Sequence, residues 1–251
     1  MARAAMLVGL AGLLPISGGA AQCPIVELRQ YTLHDGQRDT LIDLFEHHFI
    51  EPQEALGMTI IGTFRDLDRP NRFVWIRGFP TMESRLHGLG EFYGGEVWKA
   101  HREAANATMI DSDNVLLLHA PHSSAAFGPF AKRPGPGEER TAGIIVATIY
   151  YLKVRPADAG IVFEREVKPR LEKAGIPVLG WFISGVDANN YPRLPVRESE
   201  KVLVWFSRFD DALGEEASAR AIVAAQLPLG PMLAGETEVL RLAPTDRSAL
   251  R

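Results

Sequence analysis

The chain repeats itself, and the repeat limits what it can fold into. Residues 54–67, "EALGMTIIGTFRDL", line up with residues 172–185, "EKAGIPVLGWFISG". Gly57 falls on Gly175, Gly62 on Gly180 and Phe64 on Phe182. "RFVWIRGF" at 72–79 lines up with "VLVWFSRF" at 202–209, placing Trp75 on Trp205 and Phe79 on Phe209. "VLLLHAP" at 115–121 echoes "VLRLAP" at 239–244. Three matches in one order predict an internal duplication, and a spacing far longer than a solenoid repeat predicts two related domains.

Each copy has the same coarse order of elements. In the first, "IVELRQYTL" (25–33) reads as a strand and 35–56 as one helix, with Gly57 as its left-handed cap. Two strands follow, joined by the turn-rich "DRPN". A helical region from about 82 to 107 is broken at Gly94-Gly95, and "NVLLLHA" is the last strand. That is βαββαβ, the ferredoxin-like order. Strands apolar on both faces need two covers. Helices supply one and the other copy's sheet supplies the second. The expected fold is therefore α+β, two ferredoxin-like domains forming a pseudo-dimeric α/β barrel. The expected boundaries are 1–22 leader, 23–121 domain 1, 122–141 a Pro/Gly/Ser-punctuated linker, 142–245 domain 2 and 246–251 tail. The second copy also carries an insertion, "DANNYPRLPVRES" (187–199).

A net charge of −4 offers no basic surface, so nucleic acid is not an expected partner. The single cysteine, Cys23, excludes an intrachain disulfide and a cysteine metal cage, and no metal site is expected. "MARAAMLVGLAGLLPISGGAAQ" has one early charge, an apolar run too short to span a bilayer and a tail of small residues. It reads as a secretory signal cleaved after Ala20 or Ala21, implying export to a periplasm or medium. If translation starts further on, the protein is cytoplasmic instead. A lipoprotein reading would acylate Cys23, but Gln22 before it fits poorly. No later stretch reads as a membrane span.

Together, "IVELRQYTL", "GTFRDLDRPNRFVWIRGF" and "EFYGGEVWKAHREAANATMIDSDNVLLL" resemble the NIPSNAP family of the dimeric α/β-barrel superfamily. The first copy resembles it along its length and the second more weakly. The resemblance implies the same barrel. It also implies a superfamily containing cofactorless monooxygenases, haem-degrading enzymes and small-ligand binders that share a pocket between sheet and helices. Fold alone does not choose among these.

The candidate chemistry lies in the first copy. At 100° per residue, Trp98, His101, Arg102, Ala105 and Met109 fall on one side of their helix. They line a pocket, or else Trp98 and Met109 are core and Arg102 snorkels to solvent. Leu41, Leu44, Phe45 and His48 share the apolar side of the first helix, with His47 on its flank. His48 paired with His101 could serve as acid and base, and either alone could be a core histidine. His47 with Glu51 has helical ligand spacing but makes no metal site by itself. Alternation puts Glu27, Arg29 and Tyr31 on one strand face, and Phe73, Trp75, Arg77 and Phe79 on another. Arginine beside aromatic planes suits a planar or anionic ligand. The competing reading is a Glu27–arginine ion pair buried where the two sheets meet. In the second copy Arg77 becomes Ser207, and the histidines, arginines and tyrosine are not read as retained. The site is therefore expected in the first copy.

The leading expectation is a small planar or anionic molecule held by Arg29, Tyr31, Trp75, Arg77, Tyr93 and Trp98, with His101 and His48 as candidate catalytic groups. The alternatives are a monooxygenase-type or haem-acting enzyme, with His101 as base or axial ligand, and a structural protein without ligand. No cofactor is predicted, although haem stays open, as does a homodimer. A pocket of several hundred Å³ reaching His101 would favour a binder or an enzyme. A closed polar cluster would favour structure.

Overall fold

The computed structural model describes residues 23–130, 133–135, 138 and 143–251. The leader with its cleavage site, and part of the linker, lie outside the described residues. The first half runs β1 (Ile25–Leu33), α1 (Arg38–His48), α2 (Ile50–Ala55), β2 (Thr59–Asp66), β3 (Arg72–Phe79), α3 (Met82–Gly94), α4 (Glu96–Ala107) and β4 (Met109–His119). The second runs β5 (Ile144–Tyr151), α5 (Pro156–Val162), a π-helical turn (Phe163–Val167), α6 (Lys168–Lys173), β6 (Gly180–Ile183), β7 (Val202–Phe209), α7 (Ala212–Ala225), a 3₁₀ turn (Leu227–Met232) and β8 (Glu238–Pro244). The eight strands close into one antiparallel barrel in the order β1-β3-β2-β8-β5-β7-β6-β4. Read from either half, the sheet order is the same: last strand, first, third, second.

The helix expected over 35–56 is two helices that break at Phe49, whose ring is buried against Phe45 and Phe92. The break at Gly95 falls where it was expected: its extended backbone ends α3 and starts α4. Gly57 and Gly175 both adopt positive φ, 81° and 78°, as helix-ending glycines do. The other repeated glycine has a packing reason. A Cβ at Gly62 would overlap the ring of Phe64, and one at Gly180 would sit 3.0–3.2 Å from Phe127 and Phe182. The repeated Gly-x-Phe thus lets a phenylalanine fold back inside the barrel.

The barrel interior is apolar and drawn from both halves: Val26, Leu28, Phe64, Val74, Ile76, Leu116, Ile145, Ile149, Phe182, Val204, Phe206 and Leu240 are all buried there. Alternate residues face outward under the helices, which is why the strands read as apolar on both faces. The linker takes part. Phe127 enters the barrel cluster with its ring centroid 5.0 Å from Phe182 and 4.9 Å from Phe206. The tail is ordered too: Leu250 joins the same cluster and its N–H donates to Ile61 O at 2.8 Å. Cys23 is also buried in that cluster, not displayed. Among the described residues no helix is long and apolar enough to cross a membrane.

Candidate functional site

The outward face of β1 and β3 carries the charges. Register places Glu27 opposite Arg77 and Arg29 opposite Trp75. Arg85 reaches the same point from α3. All four charged side chains are at most 1% exposed. Arg29 Nη1 donates to Glu27 Oε2 at 2.9 Å, and Arg77 Nη2 to the same oxygen at 2.6 Å. Arg85 Nε donates to Oε1 at 2.8 Å. Arg77 Nη1 also donates to Gln53 Oε1 at 2.7 Å, and Arg85 Nη1 to Asn190 Oδ1 at 2.6 Å. Burial alone would raise the Glu27 carboxyl, but Arg77, Arg29 and Arg85 together hold it well below the usual carboxylate range. Burial disfavours the Arg29 cation, yet Tyr31 and Glu27 beside it hold its affinity for the proton above the ordinary arginine value. Burial lowers that affinity at Arg85. Three guanidinium groups meet one carboxylate, and among the described residues Glu27 is the only acidic side chain that any of the three touches. The cluster holds two positive charges in excess.

An aromatic cavity adjoins it. Tyr31, Leu41, Phe45, Phe49, Gln53, Trp75, Phe92, Tyr93, Trp98, Ala105 and Met109 enclose about 40 Å³, room for a few water molecules. Arg29 and Arg77 lie against the Trp75 ring, 5.5 and 4.9 Å from its centroid. Arg29 Nε donates to Tyr31 Oη at 2.9 Å. Burial pushes the Tyr31 phenol up, with Arg29 opposing it. Trp75 is 2% exposed, and its indole N–H has no acceptor among the described residues.

The second half is an internal control. Register pairs Thr148 with Trp205, Val146 with Ser207 and Tyr150 with Leu203. Tyr150 therefore stands where Tyr31 does, so the second half has a tyrosine at this position, contrary to the expectation from sequence. There Trp205 Nε1 donates to Tyr150 Oη at 3.1 Å and Tyr150 to Gln226 Oε1 at 3.1 Å, a closed chain. In the first half Arg29 has taken the tyrosine oxygen and the tryptophan N–H is left over.

Tyr31, Trp75, Tyr93 and Trp98 line the cavity, while Arg29 and Arg77 stand behind Tyr31 and Trp75 as the charge beneath the wall. The ion pairs form on the helix side of the sheet, not where the sheets meet, because Val26, Leu28, Val74 and Ile76 take the inner positions. His48 is exposed, not central on the buried stripe of α1. Glu46 is buried in its place, its carboxylate accepting Thr245 Oγ1 and the Arg247 N–H, each at 2.7 Å. His101 is half-buried and stacks on His48, ring centroids 3.9 Å apart and planes 13° apart. Neither histidine lines the cavity; Phe49, in its wall, stands against His101. Burial, then His101 and His47, push the His48 value below the ordinary one. Arg102 is exposed. A cavity of this size does not take a porphyrin, and His101 is outside its wall, so these residues do not fit a haem.

Four contributors escaped the sequence reading: Arg85, Gln53, Asn190 and Tyr191. Arg85 left a signal, since it heads an i, i+4, i+7 line with Leu89 and Phe92 on a buried face. Asn190 and Tyr191 left none. They come from the second half's insertion, which folds over the first half's site and sets the Tyr191 ring 6.3 Å from that of Tyr93.

A closed eight-stranded antiparallel barrel with helices outside is the dimeric α/β-barrel fold. Whole-chain likenesses agree. A protein of Fusobacterium nucleatum provisionally named a monooxygenase aligns over 92% of this chain and 97% of its own, at 12% identity and a TM-score of 0.58. An anthrone oxidase-like protein aligns over 90% and 93%, at 18% identity and 0.58. A protein of Lactobacillus acidophilus, also provisionally named a monooxygenase, aligns over 89% and 94%, at 13% identity and 0.53. At these identities the likeness shows the fold. No match is found among curated proteins. Residues 26–136 match the model of the NIPSNAP family, so the first half carries a NIPSNAP domain.

Proposed function

We propose that the NIPSNAP half binds a small planar anion between its sheet and helices. The observation that carries this is the double excess of buried positive charge beside an aromatic wall. A buried charge needs a partner, and the fold supplies one carboxylate for three guanidiniums. The leftover Trp75 N–H adds a donor in the wall. A ligand larger than a few waters requires Tyr93 and Trp98, on either side of the Gly95 break, to move apart. Titration with 2-naphthoate, read by tryptophan fluorescence, tests the reading. Saturable binding that weakens with salt, and that 2-methylnaphthalene does not reproduce, supports it. No binding to the folded protein overturns it and leaves the cluster a structural clasp, the reading that the small cavity favours.

A second reading takes its motive from the names of the whole-chain neighbours: a monooxygenase-type enzyme in which the arginine cluster stabilises an anion drawn from a planar substrate. Tyr31, not His101, is then the proton-carrying group nearest the substrate. Oxygen uptake with anthrone-like or phenolic substrates, lost in Tyr31→Phe, tests it. Both readings treat the chain as two ferredoxin-like units from one duplication, 23–121 and 142–245, joined by 122–141. A homodimer is an addition to a barrel already closed, and light scattering tests it.

A further inference from the structure

We propose a second small-molecule site, in the other half, built for a hydroxyl group on an apolar body. It lies in a cavity of about 350 Å³ between α5, the π-helical turn, β6 and the start of the linker. Its walls include His122, Gly160, Ile161, Glu164 and Trp181.

The two halves share a polar node at this position. The sequence match puts Gly62 on Gly180, so Thr63 corresponds to Trp181. Phe45-Glu46 on α1 corresponds to Phe163-Glu164, and Thr245 after β8 to His122 after β4. In the first half the node is closed. Thr245 Oγ1 donates to Glu46 Oε1 at 2.7 Å and lies 2.6 Å from Thr63 Oγ1, so one hydroxyl bridges helix and strand.

In the second half the same node is open. Trp181 is 2% exposed and its indole N–H has no acceptor among the described residues. Glu164 Oε2 is buried and accepts no hydrogen bond. His122 Nε2 stands 3.7 Å from that oxygen, too far to serve it, and His122 Nδ1 is engaged with Ser124 Oγ at 2.9 Å. Lys168 takes the other carboxylate oxygen. Glu164 belongs to the π-helical turn, a widened turn of the kind that collects at functional sites.

Trp181 and Glu164 line one cavity, each with an orphaned polar atom just beneath its surface, and the hydroxyl that joins their counterparts is missing. A ligand hydroxyl accepts from Trp181 Nε1 and donates to Glu164 Oε2, doing what Thr245 does in the first half. Gly160 lets α5 pack directly on the Trp181 ring, since a Cβ there would sit 3.1 Å from Cζ3. Ile161, 53% exposed, and Ile183 offer the apolar body a surface. The orphaned Glu164 oxygen needs a donor, which a hydroxyl has and a carboxylate lacks; with Arg165 in the same wall and Lys168 on Glu164, the site lacks the buried charge excess of the NIPSNAP half.

The test is a titration of the full chain with phenol, followed by the Trp181 indole ¹H–¹⁵N resonance, assigned with Trp181→Phe. Toluene and benzoate are the controls. The expected result is a saturable shift with phenol that toluene and benzoate do not match. It should weaken by about tenfold in Glu164→Met, the loss of one buried hydrogen bond. Ala157→Trp, at an exposed rim position, should block the cavity with an unchanged melting curve. Equal binding of toluene, no saturable shift in the folded protein, or undiminished binding in Ala157→Trp overturns the proposal.

Discussion

At the scale of single residues, Glu27 is the most exposed to consequence because three cations depend on it. Glu27→Gln keeps the shape and removes the charge, leaving three buried guanidiniums without a counter-ion. The expected loss is about 3–5 kcal/mol, the range for breaking a buried pair from one side. Urea denaturation measures it. The carboxyl binds its proton less readily folded than unfolded, so its contribution is complete above its usual value of about 4.5 and drains away as pH falls below it. Acid titration of the wild type should therefore show a stability loss that Glu27→Gln lacks. The His48–His101 stack makes a milder prediction. His48 is held below 6.5, so the neutral stack is favoured above that pH and loosens as pH falls beneath it. In His101→Ala the His48 midpoint should rise toward 6.5, read from its imidazole proton shifts; an unmoved midpoint would detach the shift from the stack.

Among the elements, the insertion after β6 deserves a test because it belongs to one half and serves the other. Tyr191 is 8% exposed and packs on Tyr93, next to the Gly95 break. Tyr191→Ala should speed amide exchange at residues 92–95 on the order of tenfold, equivalent to about 1.4 kcal/mol of local opening. Exchange that rises equally across the molecule would point to global destabilisation instead. The elements also mark how far the sequence could be read. Strand and helix order, the Gly95 break and the left-handed cap at Gly57 follow from period and punctuation. The charged face of β1 and β3 follows from alternation. The rotation of α1 did not, because Glu46 is buried through partners in residues 245–247, some 200 positions away. The closing of the site by Asn190 and Tyr191 has the same character. Local pattern carries no record of which distant loop will arrive.

For the whole molecule, the linker is a structural member. Phe127 fills the barrel interior between Phe182 and Phe206. Phe127→Ala should cost about 3–5 kcal/mol, as other large-to-small changes at buried phenylalanines do. Because that interior is shared by both halves, the melting transition should fall as one step; two separated steps would show that the halves unfold independently.

The two seams of the barrel differ, and the difference bears on how the chain comes off the ribosome. β4 meets β6 through the single pair His119↔Ile183, whereas β2 meets β8 through three pairs, backed by Thr245 on Thr63 and Leu250 on Ile61. Residues 238–250 are synthesised after every strand they pair with. Until they emerge, a nascent chain can place its first seven strands but leaves β2 and β5 as open edges, with the apolar faces of Ile61 and Phe64 uncovered. The firm seam is thus the last to be made, and the waiting edges are where a chaperone would have most to shield.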